Sequence, residues 1–425
     1  MVLRILSQAG DGTLQVGMAS YILFSPQTQP NAWAIAGVLA ITLLPFTVIG
    51  PFVSPLLDRW SRRDVALWSD VVRTALTIVL GLIIWFGLTS GAWAIVLFGA
   101  LLIAMSVNRF MLAGLSAGLQ HTVDEDEYLT ASSLVPTVGP LGVIVGAAAG
   151  LVTRFAFDGV LTPNQTDGLV FGLAAILFLG SVWACYGFAP DALGPDEPST
   201  GSTKVRDVAT GLAQAGRHLR TRPVAILGLL QMAITRLLFG LLSVAVILAA
   251  RHLWHPVDEP ELAMADLAVW GLAAGAGFVV AAPLAPTLVR LSSLRATSVA
   301  MLLLGAATSF IMATTSSKPV IFVTSFFVGL AVQSFKICVD TIVQAHVDER
   351  YKGRAFTFYD MLFNGAFVLA GVVAALTLPE TGLSMAAFLV MGVAYLACAA
   401  WFVAAAARLG HATFEKGTGD LTRTS

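Results

Sequence analysis

The sequence predicts an all-α integral membrane protein with twelve transmembrane helices in two six-helix bundles, related by a pseudo-two-fold axis. Three observations predict it. Of 425 residues, 57% are hydrophobic and only 12% charged, roughly half the charged share of a soluble domain; mean hydropathy is +0.83. Apolar segments of about 20 residues, the length that crosses a bilayer core, recur along the whole chain. One short motif also occurs twice, half a chain apart.

The first six apolar segments lie near 4–24, 32–57, 65–88, 92–117, 128–152 and 168–189. The second six lie near 224–251, 263–289, 296–315, 319–343, 354–378 and 383–406. Helices satisfy their own backbone groups in lipid, and this many leave little chain for anything else. The expected organisation is an N-terminal bundle over 1–190, a cytoplasmic linker over 191–222, a C-terminal bundle over 223–406 and a cytoplasmic tail over 407–425. Met1 to Gly10 holds one arginine and no cleavage-site pattern, so it reads as running into the first span and not as a signal peptide. Cys185, Cys338 and Cys398 all sit in apolar segments, where no disulfide framework is expected. A net charge of −1 and a pI near 6.6 give no reason to expect nucleic acid as a partner.

Lys and Arg set the orientation. With both termini cytoplasmic, the inner side collects Arg4, the arginines of 59–63, the basic residues of 204–222, Arg290, Arg295, those of 350–354, Arg408, Lys416 and Arg423. The outer side holds only Arg154, Arg251 and Lys318. The linker begins with the breaker-rich run Pro190 to Ser202 and continues as a helix from Lys204 to Arg220. Its basic residues suit an anionic inner leaflet, or it simply bridges two bundles at the surface. Gln120-His-Thr-Val123-Asp124-Glu125 follows the fourth segment, and Gln344-Ala-His-Val347-Asp348-Glu349 follows the tenth, 224 residues later. A motif repeated at the same topological place indicates a duplicated six-helix unit.

Between the second and third segments the chain reads Ser54-Pro-Leu-Leu-Asp58-Arg59-Trp60-Ser61-Arg62-Arg63. This resembles the loop of the major facilitator superfamily, Gly-x-x-x-Asp-Arg-x-Gly-Arg-Arg, with every charge kept and both glycines replaced by serine. The resemblance covers essentially the whole chain. The counterpart near Val289-Arg290-Leu-Ser-Ser-Leu-Arg295 lacks the acid. Gly10-Asp11-Gly12, Asn108-Arg109-Phe110 and Arg350-x-x-Gly353-Arg354 resemble the bacterial, actinobacterial-type drug and siderophore exporter branch. Gly139, Pro140 and Gly142, with Gly146 and Gly150, resemble the fifth-helix motif of antiporters; glycines every four residues equally serve helix packing.

Ionisable residues at membrane depth are costly, so each points to a function. Here they are Asp11, Asp70, Arg73, Arg109, Arg236, Lys336, Asp340 and Asp360, and their charges cancel. Asp11 lies about 10 Å along the helix from Arg4, with no cation one turn away in sequence. It reads as a proton carrier, against the alternative of a half-turn facing cytosolic water. The resemblance makes Arg109 the fourth-helix arginine that assists proton transfer; a structural ion pair or a snorkelling side chain is the plainer reading. Arg236, mid-way along the seventh segment, meets an anionic substrate group or neutralises an acid. Lys336 and Asp340, four residues apart, share a helix face as an ion pair, or serve as a substrate or proton relay. These three are assigned to the substrate cavity. The resemblance places Asp58 against the start of the eleventh helix, so Asp58, Arg59, Arg62, Arg63, Asp70, Arg73 and Asp360 are assigned to one inner gate.

There is no phosphate-binding Gly-x-x-x-x-Gly-Lys-Ser/Thr loop, no His-Glu-x-x-His and no Cys-x-x-Cys. No cofactor or metal is expected, and no nucleophile and base cluster marks an enzyme. His252 and His255 flank Trp254 and read as solvated loop histidines, with metal binding the sharper alternative. The resemblance implies a monomeric secondary transporter of the cytoplasmic (inner) membrane, working by rocker-switch alternating access. Proton-coupled efflux by antiport of a small amphipathic or hydrophobic compound, in multidrug fashion, is the favoured function. Its partners would be the small-molecule substrate, protons and membrane lipids. A proton-coupled importer, a lipid or siderophore exporter, a membrane-embedded enzyme and a transport-dead sensor are the alternatives.

Overall fold

The computed structural model describes residues 1–24, 31–48, 60–88, 90–118, 125–157, 159–189, 193, 205–256, 259–410, 413 and 415. Every regular element among them is a helix. In chain order these are α1 (Val2–Ala19, continued as a π turn over Ser20–Phe24), α2 (Ala32–Val48), α3 (Arg62–Trp85), α4 (Ala92–Gly118), α5 (Glu125–Ala156) and α6 (Pro163–Cys185). Then follow α7 (Val205–Arg220), α8 (Pro223–His252), α9 (Pro260–Leu291), α10 (Leu294–Ala313), α11 (Lys318–His346), α12 (Glu349–Thr377) and α13 (Met385–Leu409).

The helix starts follow from local chemistry. Ser61 accepts from the Asp64 N–H at 3.3 Å ahead of α3, and Ser293 accepts from the Ala296 N–H at 3.0 Å ahead of α10. Proline occupies the first turn of α6, α8, α9 and α11, where its missing N–H costs nothing. Among the described residues, nine helices (α3, α4, α6 and α8 to α13) are long and apolar enough to cross a membrane. α2 and α5 carry shorter apolar stretches, Ala32–Pro45 and Leu141–Ala156. α1 buries a polar face of Ser7, Gln8, Asp11 and Thr13, which lowers its hydropathy. Trp183 is 80% exposed, Ile95 77% and Leu272 69%. Large apolar side chains displayed so openly fit lipid as the surrounding solvent.

The chain divides into two compact units, Met1–Gln29 with Ala40–Val208, and Pro30–Leu39 with Ala209–Ser425. In the first, α1 packs on α5 and α6, and α3 packs on α4 and α6. In the second, α8 packs on α12 and α11, α10 on α13 and α11, and α9 on α11. The α1/α5 and α3/α6 pairings thus recur as α8/α12 and α10/α13. The early residues of α2 belong to the second unit because Gly371 of α12 lets Ala36 and Leu39 pack closely; a Cβ at Gly371 would lie 2.9 Å from the Ala36 Cα.

The linker helix α7 is docked on α12. Its Gly211 lies against the Arg354 guanidinium, Gly216 against Phe358, and His218 stacks on Tyr351 at 4.5 Å. Arg222, just beyond it, donates to Asp348 at 2.6 Å. Asp58 and Arg59 of the charged loop, the Gln120–Asp124 part of the repeated motif, the linker up to Lys204 except Leu193, and most of the tail lie outside the described residues.

Candidate functional site

Two clusters hold most of the membrane-depth charges, one in each unit. In the first unit, α1 supplies Ser7 and Asp11 one turn apart, α3 supplies Asp70 and Arg73 one turn apart, and α4 supplies Asn108. Arg73 Nη1 donates to Asp70 Oδ1 at 2.9 Å and to Ser7 Oγ at 3.0 Å, and Ser7 Oγ donates to the same Asp70 oxygen at 3.0 Å. Arg73 Nη2 donates to Asp11 Oδ1, and Asn108 Nδ2 donates to the other Asp11 oxygen. The Phe178 ring of α6 covers the guanidinium, 4.0 Å from its carbon. Arg73 is wholly buried, and Asp11, Asp70 and Asn108 are at most 3% exposed.

Glycines make this convergence possible. A Cβ at Gly10 would collide with the Phe178 ring, and one at Gly12 would collide with the Val143 carbonyl oxygen. Opposite them, a Cβ at Gly146 would overlap the Ala9 carbonyl oxygen, Gly142 faces Ile5 and Gln8, and Gly139 faces Arg4. Thr13 Oγ1 donates to the Gly146 carbonyl at 2.8 Å. Gly12 and the glycines of the fifth-helix motif therefore form one close seam between α1 and α5, as the packing reading of that motif expects, while Gly10 makes room for Phe178 of α6. The Pro140 side chain lies outside the described residues.

The structure gathers Asp70 and Arg73 with Asp11, two turns deeper than Arg62. Arg62 instead donates to the Leu193 carbonyl at 3.4 Å, and Arg63 pairs with Asp64 at 3.0 Å and lies over the Tyr186 ring. Arg109 is half-buried on α4, and its neighbour Asn108 is the residue that reaches Asp11. Sequence reasoning singles out Arg109 and misses the Asn108 contact beside it, and it misses Ser7. The available signal is position: Ser7 lies one turn before Asp11 on the same face.

In the second unit, Arg236 of α8 lies between the Phe363 and Phe367 rings of α12, 4.2 Å from each centroid, and 5.6 Å from Phe239. Its Nε is buried without a hydrogen-bond partner. Lys336 and Asp340 of α11 pair at 3.0 Å, about a quarter exposed, and the ammonium lies over Tyr359 at 5.2 Å and Phe363 at 5.8 Å. The aromatic series continues from Phe239 to Trp270 and Phe278 of α9. Asp360 lies next to Tyr359, and its carbonyl accepts from Asn364 at 2.9 Å.

Elsewhere two of the three expected outer cations, Arg154 and Lys318, are internally matched. Arg154 pairs with Asp167 at 3.1 Å, both buried, and Ser20 donates to that Asp167 oxygen at 2.6 Å. Lys318 donates to Asp266 at 2.8 Å. His255, expected as a solvated loop residue, instead sits 2.7 Å from the same Asp266 oxygen, because α9 brings that acid beside the loop. At the opposite end, Glu415 of the tail accepts from the Leu294 and Arg295 backbone N–H groups at 3.0 and 3.2 Å. A carboxylate thus stands at the start of α10, in the very loop that lacks an acid of its own. Among the described residues, no group of three or more His, Cys, Asp or Glu is placed to hold a metal ion.

No protein-family model matches the sequence. An uncharacterised MFS-type transporter of Mycobacterium tuberculosis is 33% identical over 382 residues, 89% of this chain and 84% of that protein. A Bacillus subtilis protein whose provisional name is bacilysin exporter is 30% identical over 118 residues, 28% of each chain. Among solved structures, the nucleoside transporter NupG superposes with a TM-score of 0.64 at 14% identity, covering 95% of this chain and 97% of that one. A likeness of that depth shows the shared fold, and the mycobacterial relative shows common descent along nearly the whole length. The chain belongs to the major facilitator superfamily of membrane transporters.

Proposed function

We propose that this chain is a proton-coupled exporter of a small amphipathic compound, an antiporter of the cytoplasmic membrane with twelve spans and both termini inside. The observation that carries the coupling is the Asp11–Arg73–Asp70 cluster: two buried carboxylates share one guanidinium. One negative charge is left over in a dry site, and a proton neutralises it at the least cost. Asp11 is the carrier, Arg73 the resident counter-ion, Asn108 and Ser7 the groups that orient them, and Arg109 the neighbour that assists transfer. Export is supported by the resemblance to drug and siderophore exporters and by the partial likeness to the Bacillus protein.

Cargo crosses by rocker-switch alternating access, and Arg236, Lys336 and Asp340 contact it. The inner gate comprises Asp58, Arg59, Arg62, Arg63 and Asp360, with Asp70 and Arg73 moved to the coupling site. The test is a proteoliposome assay with an imposed pH gradient and a panel of compounds. Substrate-dependent proton flux is expected in the wild type and lost in Asp11→Asn, with expression and folding unchanged. Full transport by Asp11→Asn would remove the coupling role.

A further inference from the structure

We infer that the ring-lined cluster in the second unit selects organic anions: a carboxylate-bearing molecule with a flat, apolar body. The inference rests on the transporter reading above and narrows it to a substrate class. It starts from Arg236, which keeps its charge at any physiological pH. No ion pair joins it to a carboxylate among the described residues, and the Phe363 and Phe367 ring centroids lie 4.2 Å from its guanidinium carbon. A cation at membrane depth with aromatic faces as its company is incompletely compensated. Ring quadrupoles offset only part of its desolvation, and a carboxylate with its paired hydrogen bonds compensates it more fully.

The neighbouring charges do not neutralise it. Lys336 is matched by Asp340 at 3.0 Å, so among the described residues Arg236 is the cation of this cluster left without an ion pair. That cation lies beside Phe239, Phe363 and Phe367, with Trp270 stacked on Phe239. Those rings flank a guanidinium fork whose geometry suits a carboxylate. A planar apolar body stacks on the rings while its acid group meets the fork. The pair Lys336–Asp340 is about a quarter exposed, so its ammonium is available as a second donor once an anion arrives.

The test uses the purified full-length chain in lipid nanodiscs and two isosteric probes, 2-naphthoate and the neutral 2-naphthamide, measured by titration calorimetry. Wild type is expected to bind the acid at least about tenfold more tightly than the amide. Arg236→Gln should abolish the preference, bringing the acid down to the affinity of the amide in the same variant. Arg236→Lys, which keeps the charge, should retain most of the preference. Equal affinity for the two probes in wild type, persistence of the preference in Arg236→Gln, or no saturable binding of the acid would each overturn the inference. Proteoliposome flux separates the two readings: anion preference without transport of any compound defeats the transporter reading alone, and transport without anion preference defeats this one alone.

Discussion

The two charged clusters are built on opposite plans. The first unit buries two acids around one arginine, and every charged group there touches another. The second leaves one arginine among rings, with no carboxylate paired to it among the described residues. A site with surplus negative charge and no room takes up the smallest cation, a proton. A site with surplus positive charge and flat apolar walls takes up a larger anion. On the proposed reading, coupling and cargo recognition fall to different six-helix repeats, although the repeats share their helix pairings.

The contrast is broken most directly at the two arginines. Arg73→Gln leaves two buried carboxylates facing one another and should lower stability by about 3–5 kcal/mol, read as thermal unfolding in detergent. Arg236→Gln removes a charge with no ionic partner among the described residues, so the same measurement should move by no more than about 1 kcal/mol. If the two variants unfold alike, the distinction between matched and surplus charge is wrong. The α1/α5 seam gives the next largest effect. Gly146→Ala drives a Cβ into the Ala9 carbonyl and should cost about 1–3 kcal/mol. Gly139→Ala meets only the Arg4 guanidinium at 3.4 Å and should be nearly neutral. Equal penalties would mean that the motif is not a packing seam. The smallest effect is expected at Lys336→Met, where a partly exposed pair four residues apart contributes only about 0.3–1 kcal/mol to folding. A loss as large as that of Arg73→Gln would make this pair structural and weaken its place in a binding site.

Much of this is readable from spacing alone. Apart from the second, whose expected end lies outside the described residues, the apolar segments match helices to within a few residues; α5, for example, is expected near 128–152 and spans Glu125–Ala156. The Lys336–Asp340 pair follows from i,i+4 geometry, and the rings of Tyr359, Phe363 and Phe367 share one helix face by the same rule. The company of Asp11 is not readable. Its counter-ion lies 62 residues away on another helix, and nothing local announces such a partner. Spacing groups Asp70 and Arg73 with the charged loop because they sit at the same end of α3. Eight residues of helix, roughly 12 Å, are enough to place them at a different depth. His255 misleads for a similar reason: its partner Asp266 arrives from the next helix.

The tail residue Glu415 bears on the order in which the chain is made. It follows Leu294 by 121 residues, so α10 is synthesised long before the carboxylate that caps it exists. Through that interval the Leu294 and Arg295 N–H groups must rely on water or headgroups. The second repeat therefore closes its own loop only after α13 has been laid down, and a truncation after Leu409 would leave it permanently at that unfinished stage.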